Sequence, residues 1–318
     1  MSSTTPIRYL ASPGAAPEPV CYLDGGFVPE SAARVSVFDH GLLYGDGVFD
    51  TVVAWQGSLF RLDDHIARLF RSMKAIGLEG GFSADELKSL TRQAVRLNGL
   101  ENAYVKWVVT RGANGTPLMD PAGCRPTLVI VVRPYIERFT ARAENGIGLK
   151  TVAIRRTPAQ CLDPGIKNLN YLNLILAKME AKAAQCDEAL MLDLDGNVCE
   201  APGYNVFIVE KGRLSTPVRD ILAGITRASV LHLARSRGME ALEHDIGLYR
   251  AYTADEVFLT STAGGLVPVT RIDGRTIGTG RPGPVYAALS SAYSEILGAP
   301  DWGVPVAEPI EPRMEVMQ

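Results

Sequence analysis

The sequence predicts an α+β protein of two domains. Three observations lead there. At 318 residues the chain exceeds what one hydrophobic core usually organises. Segments of two-residue and 3.6-residue period are mixed without a regular strand–helix–strand alternation, which disfavours a doubly wound sheet. A polar stretch at 134–146, opened by Pro134 and closing at Gly146, separates two halves that each hold both kinds of segment. The predicted division is a loose arm at 1–19, a smaller unit at 20–133, a link at 134–146 and a larger unit at 147–318.

The arm is rich in Ala, Ser and Pro around a lone Arg8 and has no apolar segment, so it does not read as a signal peptide. Cys21-Tyr22-Leu23, Asp24-Gly25-Gly26 and Phe27-Val28 read as a hairpin. A strand follows at 48–55, then the turn Gln56-Gly57 and a short run at Leu59-Phe60. Leu62, Ile66, Leu69, Phe70, Met73 and Ile76 form one helical stripe, with Asp63 and Asp64 in the first turn and Gly77 past the end. Ser83 with Glu86 three residues on is a capping box for a helix over 84–97. Strands at 103–110 and 127–132 flank a Gly/Pro-rich loop at 111–126. In the second half, strands are predicted at 149–154, 188–192, 206–209 and 256–259. Helices are predicted at about 168–184, 226–237 and 283–296. The tail from Gly298, rich in Pro and Glu, is expected on the surface.

Composition excludes several functions. A net charge of −3 without a basic run argues against nucleic acid. No stretch approaches the roughly 20 apolar residues of a membrane helix. Five widely spaced cysteines without C-x-x-C fit neither a disulfide framework nor a zinc site, and they suit a reducing cytoplasm. Four histidines without H-E-x-x-H give no metal motif.

The most informative residue is Lys167. It follows the turn Asp163-Pro164-Gly165-Ile166 and opens an apolar, helix-like run. A cation there faces the positive end of the macrodipole. That field and desolvation lower a lysine's proton affinity, giving a nucleophilic amine suited to forming an imine with an aldehyde. Alone, Lys167 reads as an ordinary solvated lysine. Four other segments change the reading. Gly224, Ile225 and Thr226 open a helix whose free N–H groups suit phosphate. Glu200 sits between the Asp195-Gly196-Asn197 turn and an apolar strand, where its carboxylate needs a cation such as a protonated pyridine. Ser261-Thr262-Ala263-Gly264-Gly265 offers an anion nest. Arg68, beside the buried stripe, can reach inward to a phosphate or pair with Asp64 on a solvated face.

These segments together resemble the pyridoxal-phosphate aminotransferases of fold type IV, also called class IV, from about residue 22 to 297. The most specific pieces are Lys167-Asn168-Leu169-Asn170-Tyr171-Leu172-Asn173, the Glu-x-x-Gly-x-Asn pattern at Glu200, Gly224-Ile225-Thr226-Arg227, and the run from Phe38 to Phe49. The resemblance implies a pyridoxal 5′-phosphate cofactor at the interface of a smaller N-terminal and a larger C-terminal domain, and a cytoplasmic homodimer. It implies that Lys167 carries the cofactor imine and later moves the substrate proton, and that Glu200 pairs with the pyridine nitrogen. It further implies that Arg68, Ile225, Thr226 and Thr262 hold the phosphate, with Gly224 beside them, and that Tyr171 bonds the ring oxygen. The expected reaction is ping-pong transfer of an amino group from an amine or amino acid to a 2-oxo acid.

Within the family, the substrate positions are Tyr44, Thr51, Tyr104, Lys106, Ala263 and Gly264. Branched-chain aminotransferases share the two tyrosines but carry arginine where this chain has Lys106, and Glu-Gly where it has Asp50-Thr51. (R)-selective amine transaminases resemble it at 262–265 and at 60–65 but usually lack Tyr44. D-amino acid aminotransferases place an Arg-x-His in the loop after Gly112, absent here. Aminodeoxychorismate lyases use a threonine and a lysine where Thr51 and Lys106 stand, but their loop arginine is missing. Because Lys106 cannot grip a carboxylate bidentately, the sequence leans to an (R)-amine transaminase, with a branched-chain aminotransferase next. A lyase and a non-catalytic cofactor-binding module are the rival readings.

Overall fold

A computed structural model of the chain describes residues 18–135 and 145–307. Two large sheets organise them, an α+β arrangement. In the first, a seven-stranded sheet, the order is Gly303–Pro305, Ser58–Phe60, Gly47–Trp55, Ala103–Ala113, Arg125–Pro134, Val20–Leu23 and Gly26–Pro29. Every pairing in it is antiparallel. The predicted hairpin closes through Asp24 and Gly25, both at positive φ, as a two-residue turn matched to strand twist requires.

Strand alternation divides the chemistry of this sheet. Val105, Trp107 and Val109 point to one face, with Val48, Val52 and Ala54, and all six are fully buried. The helices Leu62–Ala75 and Ala84–Leu97 cover that face with Leu62, Leu69, Leu87 and Val95. Each such side chain contributes roughly 1.5–3 kcal/mol on burial. Trp107 Nε1 donates to Thr91 Oγ1 at 2.9 Å, so the largest buried ring carries no orphan donor. The capping box at Ser83 and Glu86 forms as predicted. Phe49, Thr51, Tyr104 and Lys106 share the opposite face, because Thr51 lies across from Lys106 and Phe49 from Val108.

The second sheet runs Ala241–Glu243, Arg213–Thr216, Tyr204–Glu210, Glu256–Ser261, Gly265–Ile272, Ile147–Thr151 and Glu188–Leu190, with two short strands added beside it. The helices Ile225–Ser236 and Pro284–Leu297 pack on it through Val230, Leu231, Leu289 and Tyr293. Val53 and Phe60 of the first sheet belong to that same apolar cluster. A bridge between Val48 and Asn168 joins the halves, with Phe49 N donating to Lys167 O at 2.9 Å and Leu169 N to Gly47 O at 3.0 Å.

Three expectations change. The helix expected from 168 is Leu172–Ala183, because 167–169 is extended and paired to the first sheet. The tail does not simply lie on the surface, because Gly303–Pro305 pairs with Ser58–Phe60 as an edge strand. The strand Gly265–Ile272, absent from the predicted elements, continues directly from the nest at 261–265. Most of the arm and most of the link at 134–146 lie outside the described residues.

Candidate active site

Where the two sheets meet, a cavity of about 260 Å³ opens between the Lys167 segment, the helix start at Gly224 and the strand Glu256–Ser261. Lys167, Arg68, Tyr171, Glu200, Gly224, Ile225, Thr226, Thr262, Ala263, Thr51 and Tyr104 all line it. They come from distant parts of the chain, which is the main geometric support for the set. A larger cleft of about 920 Å³ runs past Phe70, Met73 and Phe82, but its charged residues, Arg71, Lys74, Glu79 and Glu86, are all exposed. It has no buried ionisable group to do chemistry with.

Lys167 reaches the cavity from an extended segment, not from a helical first turn. Its Nζ lies 3.5 Å from Tyr171 Oη and 4.5 Å from the centre of the Phe49 ring. Dense protein around it lowers its proton affinity. The Arg68 guanidinium lowers it further, and the ammonium is brought down to about 8. Asp50 and Glu200 pull the other way and Lys106 adds a smaller downward push. Burial also raises the Tyr171 phenol above its usual range.

Arg68 does not pair with Asp64; it turns inward and lines the cavity. It crosses to Asp50 with two bonds of 2.8 Å, and Arg61 takes Asp64 instead at 2.7 Å. His65 Nδ1 completes the cluster at 2.8 Å from Asp50 Oδ1. Burial favours a protonated Asp50, but Arg68 and His65 outweigh it and hold the carboxyl well below the usual range. Burial keeps His65 neutral, which makes Nδ1–H the donor to Asp50. Arg68 Nη1 also donates to Ala223 O at 3.2 Å, at the edge of the helix start.

Glu200 has a cation the sequence reading did not name. Arg156 Nε donates to its Oε1 at 2.6 Å, and Leu222 N to Oε2 at 3.0 Å. Burial raises the Glu200 proton affinity in spite of these partners. Arg156, Asp50 and His65 were missed because each acts across the fold. Phe49 was quoted within a motif but given no role.

Three predicted residues lie at the margin. The Tyr44 hydroxyl donates to Pro117 O in the 111–126 loop, outside the cavity lining. Gly264 N donates to Ser261 Oγ at 2.9 Å, so that amide is already used within the turn. The Lys106 Nζ stands 4.4 Å from the Phe49 ring centre, beside the cavity.

Residues 47–272 match the amino-transferase class IV family. The chain is a class IV aminotransferase. A putative branched-chain-amino-acid aminotransferase of Methanocaldococcus jannaschii is 43% identical over 90% of this chain and 98% of its own. A D-alanine aminotransferase of Bacillus licheniformis is 35% identical over 85% and 94%. Among solved structures, the branched-chain amino acid aminotransferase of Thermobaculum terrenum in its PLP-bound holo-form superposes with a TM-score of 0.84 at 30% identity, over 92% of this chain and 99% of that one.

The enzyme uses pyridoxal 5′-phosphate, and the cavity fits that group. The helix Ile225–Ser236 starts at Gly224 without a side-chain cap, leaving first-turn N–H groups for a phosphate. A Cβ at Gly224 would stand 2.0 Å from Asn205 Oδ1, so only glycine lets the backbone pass there. Thr260 lines the cavity with a buried hydroxyl that has no protein partner. Among the described residues no group of three His, Cys, Asp or Glu side chains is placed to hold a metal ion.

Proposed function

We propose that this aminotransferase moves the amino group of a branched-chain L-amino acid to a 2-oxo acid. One observation carries the reading. Lys106 is half-buried, desolvated enough that burial lowers its proton affinity, and has no carboxylate partner among the described residues. A cation placed so is stabilised by an anion brought by the substrate. A carboxylate does this and a simple amine does not. The lean toward an (R)-amine donor rested on the weakness of a lysine anchor, and the missing counter-ion reverses it. The two relatives and the solved structure named above all carry names of amino acid aminotransferases. The apolar surroundings at Phe49 and Tyr104 suit an aliphatic side chain.

In this reading Lys167 holds the cofactor covalently and, once released, carries the substrate α-proton on Nζ. Arg68, the Ile225 amide, Thr226 and Thr262 would hold the phosphate and Tyr171 the ring oxygen, while Glu200, backed by Arg156, would pair with the pyridine nitrogen. The bound cofactor supplies an electron sink for the carbanion and a carrier for the amino group. Thr51, Tyr104, Lys106 and Ala263 form the substrate side. Lys167 with a proton affinity near 8 is roughly one-tenth neutral at pH 7, against less than a thousandth for an ordinary lysine.

A panel of L-leucine, D-alanine and (R)- and (S)-1-phenylethylamine with 2-oxoglutarate or pyruvate tests the reading. L-Leucine should turn over fastest. Faster turnover of either amine, or of D-alanine, would replace it.

The boundaries 20–133 and 147–318 are proposed for the two domains, with Gly303–Pro305 returned to the first. A cytoplasmic homodimer is also proposed. Leu172, Ile175, Leu176 and Met179 on one helix are exposed, as are Val37, Leu42, Leu118 and Met119, and a second copy is the proposed cover. Sedimentation should give twice the chain mass at micromolar protein, and a monomer there would remove this part. Among the described residues no helix is long and apolar enough to cross a membrane.

A further inference from the structure

Phe49 serves two lysines. Lys106 Nζ stands 4.4 Å and Lys167 Nζ 4.5 Å from the centre of the same ring. These distances to one point place the two ammonium groups closer together than the screening length of about 10 Å in 0.1 M salt. Phe49 is buried, so little solvent separates them. Both nitrogens draw on one quadrupole, and each disfavours charge on the other.

The surroundings of the two differ. Lys167 faces Arg68 and His65 from the helix Leu62–Ala75, Asp50 from its neighbouring strand, Glu200 from the second sheet, Tyr171 from its own segment and Lys106 from the first sheet. Asp50 is committed to Arg68 and His65, and Glu200 to Arg156 and Leu222. The charges around Lys167 are therefore largely paired off. Lys106 is the exception. It sits across from Thr51 on the cavity side of the sheet, next to Tyr104, whose hydroxyl is 3.4 Å from Thr51 Oγ1. No carboxylate answers it among the described residues.

We infer that Lys106 couples substrate recognition to the working lysine: a carboxylate docking on Lys106 cancels its field at Lys167, and Lys167 becomes the stronger base when an acid substrate is present. This rests on the proposed amino acid and 2-oxo acid substrates and adds a consequence to that proposal. The empty site holds Lys167 as a weaker base, ready as a neutral nucleophile. The filled site makes it better able to accept the α-proton. A donor or acceptor lacking a carboxylate would bind without that second effect.

The test follows the uptake of pyridoxal 5′-phosphate by the cofactor-free full-length protein, which requires neutral Lys167 and so rises with pH. The midpoint of that rise is recorded with no addition, with 3-methylbutanoate, and with the uncharged 3-methylbutanamide. In the wild type the acid should move the midpoint upward and the amide should leave it in place. Lys106→Met should start from a higher midpoint and lose the response to the acid. Lys106→Arg, which keeps the charge, should retain the response. In steady state Lys106→Met should raise the KM for 2-oxo acids by about tenfold or more, the loss expected for one charge-assisted contact. Equal midpoints in wild type and Lys106→Met, or equal responses to acid and amide, would overturn the coupling. A wild type that responds to the acid but does not turn over L-leucine would leave the coupling standing and remove the proposed donor.

Discussion

Replacing Lys167 with alanine should reduce transamination by about 10⁴-fold or more, with the fold intact. The magnitude is what a positioned acid–base group supplies, and here the same nitrogen also attaches the cofactor. The geometry explains why no neighbour can substitute. Lys106 is the other amine at the Phe49 ring, but it stands on the strand Ala103–Ala113 beside the cavity and is not among the residues lining it. Tyr171, 3.5 Å away, has its phenol pushed above the usual range by burial and remains protonated near neutrality. His65 is neutral and its Nδ1 is committed to Asp50. Steady-state assays with L-leucine and 2-oxoglutarate, run beside far-UV circular dichroism, measure the loss. Borohydride reduction of the wild-type holoenzyme followed by peptide mapping should place the pyridoxyl label on position 167. A label on another lysine, or near-normal turnover by the alanine variant, would sink the assignment.

How much of this was readable in the chain depends on the distance over which each feature is determined. The helix over 84–97 was legible to the residue, because its capping box at Ser83 and Glu86 is local chemistry. The stripe from Leu62 fixed the neighbouring helix in the same way. Lys167 was legible as a residue, but the physical reason offered for it was not the one the fold uses. The helix starts four residues later than expected, at Leu172, and the segment 167–169 is held by pairing with 47–49, more than a hundred positions away. No periodicity reports such a bridge. Arg68 shows the same limit. Sequence spacing favoured Asp64, one turn back on its own helix. Asp50 takes it because both groups are buried where an unpaired charge costs far more than a surface pair returns. Arg156 lies 44 residues before Glu200, and only the folded sheet brings them to 2.6 Å. The strand Gly265–Ile272 was hidden by Pro268, which argues against a strand in any local reading.

Arg68→Ala should be the most destabilising single change in the site, by about 3–5 kcal/mol. Asp50 is fully buried and owes two of its bonds to Arg68. Without the guanidinium it keeps the bonds from His65 Nδ1 at 2.8 Å and from Thr51 N at 2.7 Å, and no full positive charge is bonded to it. The measurement is urea unfolding of the cofactor-free chain, so that lost phosphate binding does not enter. The pH dependence separates this cause from simple loss of packing. In the wild type the Asp50 carboxyl is held below its ordinary value of about 3.9. Its contribution is therefore complete above that value and is lost as pH falls through the lower folded one. In Arg68→Ala the main influence left on Asp50 is burial, which favours the protonated form. Acid then relieves the variant while it weakens the wild type, and the gap between them should narrow from about pH 5 to pH 3. Removing both charges together, as Asp50→Asn with Arg68→Met, should recover part of the loss, because no buried ion is left unpaired. A single variant within about 1 kcal/mol of wild type, or a gap unchanged by acid, would show that Asp50 does not depend on Arg68 for its charge.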